Sequence, residues 1–394
     1  MKEPKIVADQ DRLDELCDRL EEATALAFDT EFVPEYTFAP ELCLVQVAAA
    51  DVLLAVDPYS AGDLTRLWKL LTDPKKEVVV HAGKEEMNFC QEYAGRLPKH
   101  LIDVQIAAGL AGFGYPLSLD NLIQKTVKGG KLKKTETRTD WRKRPLTMTQ
   151  VEYALDDVRY LLEVRKKIGE KLEKLGRTKW LEEETQRFLA TTARRADDRW
   201  TRVSGAGGLR GQELAVFREL VNWRDERAKR VNKPSRWVLR DDLLAELAKR
   251  QPGSAKELQA MRGVGGVAAG DVGAEIVAAV QRGLDLPAEH WPARPKRRDP
   301  SEEQMVVKIL SAALIHVAQE AEVAPSLLGG NDDLKDFVRY MLEPEEKETP
   351  PKLAQGWRKE VCADYLRDLI HGKVHLRIEP DGGKLTLAFE DRKG

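Results

Sequence analysis

The sequence predicts an α/β domain built on a central sheet with flanking helices, followed by two mainly α-helical modules. Three observations lead there. Short apolar, strand-like runs alternate with helix-like segments up to about residue 175. A glycine-rich break, Ser204-Gly205-Ala206-Gly207-Gly208, then interrupts the pattern. Almost everything after it reads as helix. A chain of 394 residues is long for a single core and fits two or three domains.

In order along the chain, helical spacing predicts helices near 10–21, 61–72, 84–94 and 104–111, with strands at 25–32, 42–48, 52–56 and 77–81 between them. The stretch 147–175 carries Leu155, Val158, Leu161, Leu162, Val164 and Ile168 at helical spacing and predicts one long helix. From 209 to 286, Leu214, Phe217, Leu220, Val221 and Trp223 share a helix face, and Pro234 and Pro252-Gly253 break the run into shorter helices. Pro287, Pro292, Pro295 and Pro300 mark a second linker. The last module is helical until the alternation His375-Leu376-Arg377-Ile378. A Pro380-Asp381-Gly382-Gly383 turn and Leu385-Thr386-Leu387-Ala388-Phe389 complete a terminal hairpin.

Composition bounds the function. The opening Met1-Lys2-Glu3-Pro4 has no apolar signal region behind it, and no run is long enough to cross a membrane. Cys17, Cys43, Cys90 and Cys362 form no CxxC pair, so they read as reduced, buried thiols of a cytoplasmic protein rather than a disulfide frame or zinc site. The net charge of −2 exerts no overall pull on nucleic acid. It hides a basic stretch, 125–144, where Lys133, Lys134, Arg138 and Arg144 stand among nine cations against two acids, Glu136 and Asp140. Such a run is either solvated surface or a patch for a phosphate backbone.

Three acidic sites carry chemistry. In Ala25-Leu26-Ala27-Phe28-Asp29-Thr30-Glu31-Phe32, an otherwise apolar strand, Asp29 and Glu31 project from one face while Phe28, Thr30 and Phe32 take the other. Two like charges there repel and lose hydration. Either they face solvent at an edge, or a cation sits between them, for which a hard divalent ion with oxygen ligands is the natural choice. Next, the strand ending at His81 turns through Ala82-Gly83 into a helix that begins Lys84-Glu85-Glu86. Acids in a first helical turn are also favoured by the helix dipole alone. Finally, Tyr153 and Asp157 lie four apart and stack on one helix face, where an acid and a phenol can reach a common point.

Phe28-Asp29-Thr30-Glu31-Phe32, His81-Ala82-Gly83-Lys84-Glu85-Glu86 and Tyr153 with Asp157 resemble, in order, the three motifs of the DEDD-type 3′–5′ exonucleases; the tyrosine points to their DEDDy branch. Within it the chain is similar to the ribonuclease D family. Leu44-Val45-Gln46, Leu101-Ile102-Asp103-Val104-Gln105, Thr139-Asp140-Trp141 and Arg144-Pro145-Leu146 extend the likeness. Further on, Trp223-Arg224, Asn232-Lys233-Pro234, Val238-Leu239-Arg240-Asp241 and Leu258-Gln259-Ala260-Met261-Arg262-Gly263 resemble an HRDC domain, and Gly356-Trp357-Arg358-Lys359-Glu360 the family's divergent C-terminal region. The family usually has aspartate where Glu86 stands here. Glutamate keeps the charge but adds one methylene, about 1.5 Å, against the strict geometry of Mg²⁺. Glu85, one helical step of about 100° away, is the less suitable neighbour.

The resemblance implies a ribonuclease H-like fold with a mixed sheet over 1–205, an HRDC-like domain over 209–286 and a divergent HRDC-like domain with terminal hairpin over 300–394. It implies two divalent ions, Mg²⁺ or Mn²⁺, held by Asp29, Glu31, Glu86 and Asp157, with Tyr153 orienting the attacking water. The substrate so implied is the single-stranded 3′ end of structured RNA such as tRNA precursors, released as nucleoside 5′-monophosphates. Gln46 and His81 are candidates to touch the terminal nucleotide, and Trp141 either stacks on a base or packs on the domain. Two alternatives stay open: a DNA-directed 3′–5′ exonuclease, and an RNA-binding factor whose catalysis is weakened at Glu86.

Overall fold

A mixed six-stranded sheet, in the order β1-β4-β3-β2-β5-β6, is the centre of the N-terminal half of the computed structural model. The structure describes residues 5–132, 139–194, 199–264, 266, 270–292, 300–342, 349–381 and 384–391. The strands are β1 (Ile6–Val7), β2 (Ala25–Val33), β3 (Glu41–Ala48), β4 (Leu53–Val56), β5 (Glu77–Val80) and β6 (His100–Asp103). β3 runs antiparallel to both β2 and β4, while the β1–β4, β2–β5 and β5–β6 pairs are parallel. Residues 42–48 of β3 are all buried, which explains their nearly unbroken apolar run.

One face of the sheet is covered by α1 (Gln10–Glu22), α2 (Thr65–Leu71) and α3 (Lys84–Ala94). Leu13, Leu16 and Leu20 of α1, Trp68 of α2 and Met87 and Phe89 of α3 meet Phe28 and Val78 there. The opposite face carries α4 (Val104–Leu110), α5 (Leu119–Thr126) and α7 (Leu161–Lys174), and α6 (Met148–Arg159) lies over β3 and β4. α8 (Thr178–Arg194) follows.

The long helix expected over 147–175 is therefore two. Tyr160, at φ −104° and ψ −5°, ends α6 and starts α7 while staying in the right-handed region, so the apolar spacing runs on through the break. Sequence reading missed β1, α5, β6 and α8. β1 has two residues and β6 has four, too few to establish an alternation.

Helices α9 (Gln212–Arg230), α10 (Ser235–Val238), α11 (Asp241–Arg250), α12 (Ala255–Ala260) and α13 (Asp271–Leu284) form a second core around Phe217, Leu220, Leu244, Leu247 and Ile276. Leu209 is fully buried in it and Trp200 and Val203 pack against it. The glycine-rich stretch expected as a linker is thus held on this module, with Ala206–Gly208 as a 3₁₀ turn.

The last part comprises α14 (Pro300–Glu320), α15 (Pro325–Leu328), α16 (Asn331–Leu342) and α17 (Gly356–Arg358). From α17 a π turn (Lys359–Ala363) leads into α18 (Asp364–Ile370). The hairpin of β7 (Val374–Asp381) and β8 (Lys384–Asp391) follows, as expected. Its helices share one apolar core with α4, α7 and α8: Leu110, Leu161 and Leu181 pack with Leu310, Leu314, Leu327 and Trp357. Polar ties lock this contact. Arg358, 1% exposed, donates to the carbonyls of Leu327 and Leu328 and pairs with Glu184 Oε2 at 2.6 Å. Trp357 stacks on Trp180 with ring centroids 5.2 Å apart.

Candidate active site

Asp29 and Glu31 sit on β2 opposite Gln46 and Leu44 of β3. β5 pairs with β2 only along Ala25–Ala27, so from Phe28 onward the other edge of β2 is released from the sheet. α3 starts in the space where β5 stops. Its approach is steep: Ala82 adopts φ +57°, and a Cβ on Gly83 would lie 2.3 Å from Val80 Cγ2. Buried Asp103, at the end of β6, holds this turn. Its Oδ1 accepts the N–H of Ala82 at 3.0 Å and of Gln105 at 2.9 Å, and its Oδ2 accepts that of Gly83 at 3.0 Å. One carboxylate therefore caps α4 and shapes the entry to α3, which has no side-chain cap of its own. The sequence reading gave Asp103 no role, although an aspartate just before a helical run is an N-cap signal.

From the first turn of α3, Glu86 points inward and is buried, and Thr30 Oγ1 donates to its Oε1 at 2.6 Å. Thr30 is on the strand face opposite Asp29, so Glu86 enters from the α3 side. Glu85 points elsewhere, to Asn88 and Lys84. The third acid comes from α6, whose start is fixed by a reciprocal capping box between Thr147 and Gln150. Tyr153 and Asp157 share its face, and the Tyr153 ring lies against Trp141 at 6.3 Å.

Burial raises all four of these carboxylates above their ordinary values. Burial, then the charges of Glu86, Asp157 and Glu31, push Asp29 well above the usual carboxylate range. Burial, then the charges of Asp157 and Glu86, raise Glu31 to about 8, and burial with Asp156 raises Asp157 to about 7. Burial also raises Glu86, against the opposing Thr30 hydrogen bond. Elsewhere, buried Asp57 has Arg144, buried Glu184 has Arg358 and half-buried Asp241 has Arg224, while buried Asp103 is held by three backbone N–H groups. Among the described residues, Asp29, Glu31, Glu86 and Asp157 have no such cation.

The donor set fits hard divalent cations: carboxylate oxygens, partly dehydrated and mutually repelling. Gln46 adds to the fit. It is fully buried beside Asp29, and neither its amide oxygen nor its nitrogen has a hydrogen-bond partner. Among the described residues no three acid, histidine or cysteine side chains already converge as a coordination set, and Glu86 is drawn towards Thr30.

Several candidate nucleic-acid contacts have other work. The Arg144 guanidinium grips Asp57 through two bonds of 2.6 and 2.8 Å, donates to the carbonyls of Cys43 and Trp141, and lies 4.6 Å over Tyr59. It ties the 139–146 loop to the sheet and is not free for phosphate. Trp141, 6% exposed, belongs to the small core of Val33, Leu44, Val151 and Leu155, so it backs Tyr153 rather than stacking on a base. Burial pulls the His81 imidazole below its ordinary value, and its Nε2 donates to the Leu117 carbonyl at 2.9 Å. Lys133, Lys134 and Arg138 lie outside the described residues.

With this geometry in hand, the family relationships are clear. The family model for a 3′-5′ exonuclease matches residues 4–173, and that for an HRDC domain matches 213–280. Ribonuclease D of Gluconacetobacter diazotrophicus is 34% identical over 382 residues, covering 96% of this chain and 95% of its own. Ribonuclease D of Granulibacter bethesdensis is 32% identical over 390 residues, covering 98% and 96%. The crystal structure of Escherichia coli RNase D, an exoribonuclease involved in structured RNA processing, superposes with a TM-score of 0.79 at 28% identity, covering 93% of this chain and 98% of that one. DEDD exonucleases are in general divalent-metal dependent, in keeping with the donor set. The matches span the nuclease and the helical modules alike, and the chain belongs to the ribonuclease D family.

Proposed function

We propose that this 3′–5′ exoribonuclease binds two divalent ions, Mg²⁺ or Mn²⁺, between Asp29, Glu31, Glu86 and Asp157. It would trim single-stranded 3′ ends of structured RNA such as tRNA precursors and release nucleoside 5′-monophosphates. The observation that carries this reading is the carboxylate cluster without a cation: four acids from three separate elements, two of them raised to about 7 and 8. Bound ions would neutralise the cluster, ionise a water near neutral pH and stabilise the leaving oxygen.

The chain's own residues supply position. Tyr153 directs its hydroxyl to the attacking water as a hydrogen-bonding group; with a reference pKa near 10 a phenol is a poor general base at neutral pH. Trp141 fixes the ring from behind. Gln46 offers its unpartnered amide to the Asp29 carboxylate or to a water beside it. Glu86, longer than the family's aspartate, swings from Thr30 towards Asp29 when the cluster is loaded. We assign 1–205 to the nuclease, 209–286 to the HRDC-like module and 300–394 to the C-terminal module, and place the activity in the cytoplasm, consistent with four buried, unpaired thiols.

The test is degradation of matched RNA and DNA oligonucleotides carrying a 5′ label, with Mg²⁺, Mn²⁺ or a chelator. The expected result is a 3′-end ladder from RNA with either metal, abolished by the chelator and by Asp29→Asn. RNA binding without turnover in either metal would overturn the enzymatic reading in favour of a binding factor. Preferential loss of the DNA strand would overturn its substrate.

A further inference from the structure

A cleft of about 580 Å³ is lined by Glu31 and Tyr153 together with Tyr36 and Arg142. Tyr36 belongs to the loop that follows β2, so extended-strand geometry places it within about 17 Å of Glu31. There the nuclease meets the helical module. The Tyr36 and Trp237 rings touch edge to face, centroids 6.4 Å apart at 81°, and the Phe38 N–H donates to Asn232 Oδ1 at 3.3 Å. Cations flank both rings: the Arg142 guanidinium lies 4.5 Å over Tyr36 and Lys233 Nζ lies 5.8 Å over Trp237.

Exposure marks this pair as unusual. All eight tryptophans are described, and Trp237, 61% exposed, is the one left largely in solvent; Tyr36 is 46% exposed. A large aromatic left in water gives up most of the stabilisation that burial would provide. The edge-to-face contact between the domains covers only part of each ring and leaves the rest in solvent. Adjacent exposed rings flanked by cations, one of them lining the cleft that also takes in Glu31 and Tyr153, match the chemistry of a single-stranded nucleic acid: bases to stack and phosphates to neutralise.

We propose that Tyr36 and Trp237 form a stacking clamp, half from each domain, for bases a few nucleotides upstream of the 3′ end in single-stranded RNA. The clamp rests on the exoribonuclease reading for its substrate but makes its own demand on affinity. Arg142, already paired with Asp140, steadies the Tyr36 ring, while Lys233 faces the backbone. The HRDC-like module thereby contributes one wall of the substrate path.

The test compares binding of a fluorescent single-stranded octaribonucleotide to the full chain in an Asp29→Asn background, so that no turnover is needed. Trp237→Ala and Tyr36→Ala each weaken binding by about 5- to 140-fold, the range for one base stack converted at tenfold per 1.4 kcal/mol. Trp237→Phe restores most of the affinity and Trp237→Leu, similarly apolar but unable to stack, does not. In the catalytically intact chain the loss falls mainly on KM. Alanine variants within twofold of the parent, or leucine equal to phenylalanine, overturn the clamp even if RNA is degraded normally. If the parent degrades no RNA, the exoribonuclease reading fails while the binding series still decides the clamp.

Discussion

Asp103 touches no proposed ligand, yet Glu86 depends on it. Replacing it with asparagine keeps one carbonyl oxygen and turns the other acceptor into an amide donor. If the remaining oxygen serves Ala82 and Gln105, the new N–H₂ confronts the Gly83 N–H, and a buried donor is left unpaired. That costs about 1–3 kcal/mol. In a unit the size of the nuclease, roughly 200 residues, each kcal/mol shifts the melting temperature by about 2–4 °C, so a loss of roughly 2–12 °C is expected. Asp103→Ala removes all three acceptances and should lose about twice as much. The catalytic effect should be larger than the stability effect. Ala82 holds φ +57°, a conformation costing about 1–2 kcal/mol that the Asp103 bond sustains. Once released, the start of α3 rotates and Glu86 moves, and displacements near 1 Å can cost about 100-fold in rate. Thermal melts and single-turnover degradation of a labelled oligoribonucleotide measure both. Asp103→Asn with a melting temperature within 2 °C of wild type and unchanged turnover would refute the argument that this carboxylate sets the geometry.

Three further outcomes are expected. Glu86→Asp should keep or raise turnover while Glu86→Gln loses at least tenfold, measured at saturating Mg²⁺ and Mn²⁺; full activity in the glutamine variant removes Glu86 from the ligand set. For the Asp57–Arg144 pair, burial raises Asp57 but the Arg144 hydrogen bonds and charge outweigh it and hold the carboxyl below its ordinary value. A depressed folded pKa stabilises above the unfolded value near 3.9 and loses that contribution as pH falls through the folded value. Arg144→Leu should therefore cost about 2–3 kcal/mol in denaturant unfolding at pH 6, and the deficit should shrink below about pH 4. Glu184→Ala leaves Arg358 buried without its carboxylate and should destabilise by about 3–5 kcal/mol, seen as loosened protection of 300–370 in hydrogen exchange.

The parts of the site that could be read from the chain are those where chemistry is local. Asp29 and Glu31 at a period of two in an apolar strand, and Tyr153 and Asp157 at a period of four, carry their relative placement in the spacing itself. Glu86 was legible as an acid at a helix start, but its bond to Thr30, 56 positions away, was not. The partner of Arg144 and the choice between the two readings of Trp141 were not legible, because residue type announces charge or ring and not the partner. Asp57 lies 87 positions from Arg144, and only the folded sheet brings them together. The same limit hid the union of 300–370 with the nuclease core, since an amphipathic helix declares that it will be buried without saying against what. The Tyr36–Trp237 pair escaped for a related reason, since neither residue belongs to a motif.

The most direct measurement of the central claim is the anomalous diffraction of crystals soaked in Mn²⁺. The account predicts two peaks, each within about 2.0–2.5 Å of carboxylate oxygens drawn from Asp29, Glu31, Glu86 and Asp157, with the Thr30–Glu86 bond lengthened or broken. The absence of any peak at saturating Mn²⁺, or peaks coordinated elsewhere with these four carboxylates unengaged, would contradict it.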